Sequence, residues 1–280
     1  MRRIAVIGAG QMGAGIAHAA ALAGIETSLY DQDTALPARA IEAIGAEAGE
    51  EIRSRLHAQA ELDLTGAEIV IEAVSERESL KCELFRMLDA RAEPAAILAS
   101  NTSSISITTI AAATEHPDRV VGMHFMNPVP LMRLVEIVRG LRTSQETIAA
   151  VDRLARALGK TPVTVEDSPG FVSNRVLMPM INEAISALHE GVADIEGIDT
   201  IMRLGMNHPL GPLALADLIG LDTCLAILDV LLSGFGDPRY RASPLLRRYV
   251  AAGRLGRKCG EGFYRYSPDG RRLKSSERHA

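Results

Sequence analysis

His124 and Glu136 bracket a proline-bounded loop, Asn127-Pro128-Val129-Pro130, within the run Phe125 to Val135. An imidazole takes and returns protons near neutral pH, and a carboxylate beside it fixes its tautomer and favours its charged form. If the segments flanking the loop run antiparallel, the two side chains meet as an acid/base pair suited to proton transfer beside a redox cofactor. A lone histidine at a strand end is more often a satisfied core or surface residue, so the carboxylate separates the two readings. His18, His57, His116, His189, His208 and His279 have no comparable surroundings in the sequence.

A place for the cofactor is legible at the other end of the chain. Ile4 to Ile7 reads as a strand, Gly8-Ala9-Gly10-Gln11-Met12-Gly13 follows, and Ala14 to Ala23 reads as a helix. This is the G-x-G-x-x-G fingerprint in its βαβ context. Gly8 is expected to make the tight turn, Gly10 to let the backbone approach a pyrophosphate, and Gly13 to let the helix pack on the sheet. Gln11 and Met12 supply amides at the helix N-terminus, which faces the anion. A second strand, Glu26 to Tyr30, leads to Asp31. About 20 residues past the glycines, a carboxylate accepts from a ribose 2′-hydroxyl and repels a 2′-phosphate, which favours NAD over NADP.

The rest of the first half alternates strand and helix, as a doubly wound sheet requires. Strands are expected at Ile69 to Val74, Ala95 to Ser100, Arg119 to Phe125, Leu134 to Val138 and Pro162 to Val165, with helices at Leu80 to Ala92 and Gln145 to Leu158. From Phe171 to Val250 the periodicity is helical with almost no strand signal. The fold class is therefore α/β: a Rossmann-like doubly wound domain over residues 1–167, followed by an all-α C-terminal domain over residues 168–280. The charged residues Arg271 to Ala280 read as a frayed tail.

Composition narrows the class of function. A formal net charge of −5 offers no basic field for nucleic acid. No apolar run approaches membrane-spanning length, and the first strand starts too early to leave room for a signal peptide. Cys82, Cys224 and Cys259 are widely spaced without a C-x-x-C, which reads as reduced thiols in a cytoplasmic protein, with no metal site. Lysine is scarce, only Lys81, Lys160, Lys258 and Lys274.

With these residues in view, the chain resembles the 3-hydroxyacyl-CoA dehydrogenase family, and most closely its short-chain bacterial branch. The resemblance runs from Arg3 to Tyr266 and is carried by Ser100-Asn101-Thr102-Ser103-Ser104, His124 to Glu136, Pro169 to Arg175, Asn207 to Asp222 and Gly256 to Tyr266. It implies an NAD-dependent interconversion of (S)-3-hydroxyacyl and 3-oxoacyl thioesters, with His124 as general base and acid and Glu136 as its partner. Ser103 and Asn174 match family positions that hydrogen-bond the reacting oxygen or the thioester carbonyl, and Asn127 matches a polar position beside the histidine. Glu76 and Lys81 match positions near the nicotinamide, and Asn101 joins the cofactor set. Local alternatives exist: Ser103 capping a helix near Ser104, Asn174 as a boundary contact, Glu76 as a helix-start carboxylate, Lys81 as a solvated lysine. The family also implies a homodimer formed through the second domain.

One stretch departs from the resemblance. Between Asp31 and Ile69 the family carries a long, lysine-rich helical hairpin that contacts the nucleotide part of coenzyme A. Here the segment is shorter, alanine-rich and acidic, with no lysine and only Arg39, Arg53 and Arg55 to meet a 3′-phosphate. The expectation is a reduced clamp. The acyl group then arrives either on loosely held CoA or on the phosphopantetheine arm of an acyl carrier protein, as in polyketide-type biosynthesis. A non-catalytic dinucleotide-binding sensor is disfavoured because His124, Glu136, Ser103 and Asn174 are all present.

Overall fold

The computed structural model describes residues 2–273 and divides into two compact units, Met1–Phe171 and Val172–Ala280. The division falls four residues beyond the expected end at residue 167.

The first unit is built on one eight-stranded sheet in the order β3-β2-β1-β4-β5-β6-β7-β8. The strands are β1 (Arg3–Ile7), β2 (Glu26–Tyr30), β3 (Leu56–Gln59), β4 (Ile69–Glu72), β5 (Ile97–Ser100), β6 (Val120–Phe125), β7 (Leu134–Arg139) and β8 (Thr161–Glu166). Neighbours pair in parallel except β6 with β7. The central strands carry apolar residues on both faces because helices cover both, so β4 (Ile-Val-Ile-Glu) is buried throughout. The covering helices are α1 (Gln11–Leu22), α2 (Ala35–Ala48), the single turn α3 (Glu50–Arg53), α4 (Glu78–Arg91), α5 (Ile107–Ala112) and α6 (Gln145–Ala157). Ser106 and Ser144 cap α5 and α6 by accepting the N–H of Thr109 and Thr147. Strand order reverses between β1 and β4, which leaves a crevice at the C-terminal ends of those strands.

The segment Gln32 to Glu68 carries the shortened hairpin that the sequence leads one to expect. Its second arm is only α3, and the chain then enters β3, which pairs with β2 and which the sequence reading missed.

The second unit is helical: α7 (Ser173–His189), α8 (Ile195–Thr200), α9 (Pro212–Ile219), α10 (Leu221–Phe235) and α11 (Pro244–Ala251). Pro212 and Pro244 open their helices, where a missing N–H costs nothing. Met178, Ile181, Ile185, Leu213, Leu228 and Leu246 are among the residues of its core. The buried Asp217 carboxylate accepts the N–H groups of Phe263 and Tyr264 and fastens the closing segment to α9. Arg272 stacks 3.8 Å from the Tyr264 ring and pairs with Glu196, so Arg271 to Leu273 are not frayed as expected. The remainder of that tail, from Lys274, lies outside the described residues.

Candidate active site

The antiparallel pairing of β6 and β7 makes His124 and Glu136 direct register partners. Residues opposite one another in an antiparallel pair project on the same face, so the hairpin brings the two side chains together. His124 Nδ1 lies 2.8 Å from Glu136 Oε2, with the two residues 8% and 3% exposed. If Glu136 is ionised it can only accept, in which case Nδ1 carries the hydrogen and Nε2 is left as the acceptor nitrogen. The Phe171 ring lies 5.8 Å from the imidazole and walls it on another side.

Two contacts absent from the sequence reading hold this hairpin. Asn101, the residue after β5, receives the N–H of Phe125 on its Oδ1 at 2.9 Å and donates its own N–H to Glu72 O. This ties the end of β6 to the ends of β4 and β5. Lys160, only 9% exposed, donates to the carbonyls of Val129 at 2.5 Å and Met132 at 2.9 Å. It staples the loop that separates His124 from Glu136, and burial pulls its ammonium below the usual lysine range. Val129 packs on Gly15 of α1, where a Cβ would come within 3.0 Å of it. Asn127 is exposed at the start of that loop, before a cis peptide to Pro128.

The glycine loop is shaped for a dinucleotide. Gly8 has φ +102°, and a Cβ there would meet the Ala73 carbonyl oxygen at 2.6 Å. A Cβ on Gly13 would overlap the Gly8 oxygen, so α1 can lie this close to β1 only with glycine. A Cβ on Gly10 would meet nothing within 4 Å, and no side chain caps the α1 N-terminus at Gln11 and Met12. That open approach to free amides fits a pyrophosphate. Asp31 Oδ2 accepts the Ala9 N–H at 2.7 Å, so the carboxylate expected at the ribose also pins the glycine loop. Gly8, Gly10, Tyr30, Asp31 and Ala73 line a cleft of about 570 Å³. A cleft of about 700 Å³ between Gly24, Glu68, Glu93 and Arg153 lies at the opposite, N-terminal ends of the strands, away from His124 and Glu136.

Ser103 sits in the turn after β5. It is no helix cap, since Ser106 caps α5. Its N–H and Oγ both donate to Glu76 Oε1. Lys81 is 1% exposed, not solvated, and is paired with Glu72 at 2.5 Å and Glu76 at 3.4 Å. In the second unit, Asn174 occupies the first turn of α7 and is 9% exposed.

The sequence comparisons match this geometry. The model of the 3-hydroxyacyl-CoA dehydrogenase NAD binding domain matches residues 3–168, and that of the C-terminal domain of the same family matches residues 170–266. The chain belongs to the 3-hydroxyacyl-CoA dehydrogenase family. It is an NAD-dependent oxidoreductase. A Bacillus subtilis relative with the name "Probable 3-hydroxybutyryl-CoA dehydrogenase" is 54% identical over 280 positions, covering 95% of this chain and 98% of the relative. The 3-hydroxybutyryl-CoA dehydrogenase of Bradyrhizobium diazoefficiens is 49% identical, with coverage of 95% and 96%. The crystal structure of (S)-3-hydroxybutyryl-CoA dehydrogenase from Ralstonia eutropha superposes with a TM-score of 0.92 at 48% identity, covering 95% of this chain and 99% of that one. Among the described residues no helix is long and apolar enough to cross a membrane.

Proposed function

We propose that the chain interconverts short-chain 3-hydroxyacyl and 3-oxoacyl thioesters, 3-hydroxybutyryl-CoA foremost, with His124 as the proton-transfer group. The observation that carries this reading is the buried His124–Glu136 pair, at 2.8 Å, in a family defined by NAD-dependent hydroxyacyl chemistry. Bound NAD supplies the hydride acceptor. In oxidation, Nε2 of His124 takes the proton of the 3-hydroxyl as the carbon gives up its hydride; in reduction, the imidazolium returns that proton to the new alkoxide. Glu136 holds the ring in the tautomer that leaves Nε2 basic and offsets the positive charge formed on it. Ser103 and Asn127 orient the reacting oxygen and the thioester carbonyl, and Asn174 is assigned to the same task only by its match to the family position. Gly8, Gly10, Gln11, Met12, Gly13 and Asp31 hold the pyrophosphate and adenosine ribose, and Asn101, Glu76 and Lys81 shape the nicotinamide end.

The carrier of the acyl group is the finer question. Arg53 is already bound to Glu42 and Glu50, and Arg55 to Glu51. Two of the three arginines in the shortened hairpin are therefore engaged by its own carboxylates, which supports a weak grip on a 3′-phosphate. We favour free CoA because the relatives named above act on CoA thioesters. A carrier-protein thioester is the alternative that the reduced clamp would permit. Comparing kcat/KM for one 3-hydroxyacyl group on CoA and on a phosphopantetheinylated carrier protein decides: faster turnover on CoA supports the favoured reading, and a strong preference for the carrier overturns it. The second unit exposes Ile201, Leu204 and Met206, apolar surface that a second copy would cover in a cytoplasmic homodimer.

A further inference from the structure

At the C-terminal ends of β4 and β5, two carboxylates share one cation. Glu72, fully buried, accepts from Lys81 Nζ at 2.5 Å and from the Val74 N–H at 2.7 Å on Oε1, and from the Ser100 hydroxyl at 2.7 Å on Oε2. Glu76 Oε1 collects the hydroxyls of Thr102, Ser103 and Ser104 and the N–H groups of Ser103 and Ser104, all between 2.6 and 3.2 Å. Its Oε2 faces Lys81 Nζ at 3.4 Å. Among the described residues Lys81 is the only basic group within ion-pair distance of either carboxylate. Arg77 and Glu78, next in the chain, are both exposed and opposite in sign. The neutral donors spread the negative charge but cannot cancel it, so the cluster carries one unbalanced negative charge.

Its position gives that charge a use. The glycine loop after β1 and Asp31 after β2 take the pyrophosphate and the first ribose, and a dinucleotide lies across the crevice at the β1/β4 switch point. The other mononucleotide therefore falls on the β4–β5 side, over this cluster. The nicotinamide ring is cationic when oxidised and neutral when reduced, and no other charge differs between the two forms. We infer that the unbalanced charge of Glu72, Lys81 and Glu76 makes the site selective for oxidised over reduced cofactor, with Glu76 as the determining residue. Burial works against a charged Glu76, but the Lys81 ammonium and the donors of Thr102, Ser103 and Ser104 outweigh it and hold the carboxyl below its usual range. Coulomb attraction then favours the cationic ring, moderated because the Glu76 side chain is 38% exposed. The bound pair is thereby biased towards hydroxyacyl product and oxidised cofactor.

The inference rests on NAD binding at this crevice, and calorimetric Kd values for NAD+ and NADH separate the two claims. Glu76→Gln keeps an acceptor for the donors and removes the charge. Expected is a fall in the preference for NAD+ on the order of 3- to 10-fold, with NADH affinity almost unchanged. Equal weakening of both forms would reduce Glu76 to a scaffold for the turn and overturn the inference while leaving the proposed activity intact. Failure of the wild-type protein to bind either form would instead refute the cofactor site. Should the variant fail to fold, salt decides on the wild type. The NAD+ preference is expected to shrink between about 20 mM and about 500 mM salt as the Debye length falls below the span of the site. A ratio insensitive to salt would overturn the inference.

Discussion

Asn101 Oδ1 accepts the Phe125 N–H at 2.9 Å, one residue beyond His124 and on the β5 side of the end of β6. The ladder to β5 ends at Gly122, so this side chain does for Phe125 what a strand partner does further down. Asn101→Ala strips the acceptor from a buried amide, which costs about 1–3 kcal/mol. The expected outcome is a lowered thermal midpoint and a lower kcat. Activity unchanged at a temperature where the variant is folded would show that β6 needs no such tether.

Glu136→Gln tests the tautomer. A glutamine can turn its NH2 towards Nδ1 and so shift the imidazole hydrogen to Nε2, the atom that must be basic. Turnover is expected to drop by roughly 10²- to 10⁴-fold, the usual worth of general acid–base assistance. NADH affinity is expected to hold, which direct titration of NADH fluorescence checks.

Asp31 pins the glycine loop, and its proposed second duty at the ribose is open to the same test. Asp31→Ser lifts the repulsion of a 2′-phosphate, so kcat/KM with NADPH rises relative to NADH. Because Oδ2 also holds the Ala9 N–H, the KM for NADH rises as well. A gain for NADPH with no change for NADH would separate the carboxylate from the glycine loop.

The second unit is expected to lose stability in alkali. Burial, reinforced by Asp222 and Asp217, pushes the Cys224 thiol from 9.0 up to about 12. Burial and the carboxylates of Asp199 and Asp217 likewise raise Tyr264 and Tyr266 from 10.0. Each raised group binds its proton more tightly folded than unfolded. Its contribution is complete below the unfolded pKa and is lost as pH climbs towards the folded one, at about 1.4 kcal/mol per pH unit per group. Unfolding midpoints are expected to fall from about pH 9 upward, and less steeply in Cys224→Ala, as followed by calorimetry across that range.

These outcomes hinge on residues of unequal legibility. The glycine loop, β1, β2 and Asp31 are readable because the turn at Gly8 and the packing at Gly13 impose a local sequence. The His124–Glu136 contact is readable because a hairpin with period-two alternation converts sequence separation into register. β3 is not: Leu56-His57-Ala58-Gln59 has no alternating apolar pattern and owes its strand form to pairing with β2 at the sheet edge. Lys81 reads either as a solvated lysine on α4 or, by resemblance, as a group near the nicotinamide, and only the fold shows it buried against Glu72, a carboxylate hidden in an apolar strand. Lys160 is equally silent, because its partners are backbone carbonyls of a distant loop, and any residue could supply those.

Spectrophotometric turnover of (S)-3-hydroxybutyryl-CoA with NAD+ by the wild type and by His124→Ala, alongside their NADH affinities, tests the central claim most directly. Expected is robust formation of NADH by the wild type and a loss of roughly 10²-fold or more in the variant, with NADH binding nearly intact. Substantial turnover by the variant, or a matching loss of NADH binding, would contradict His124 as the group that moves the proton.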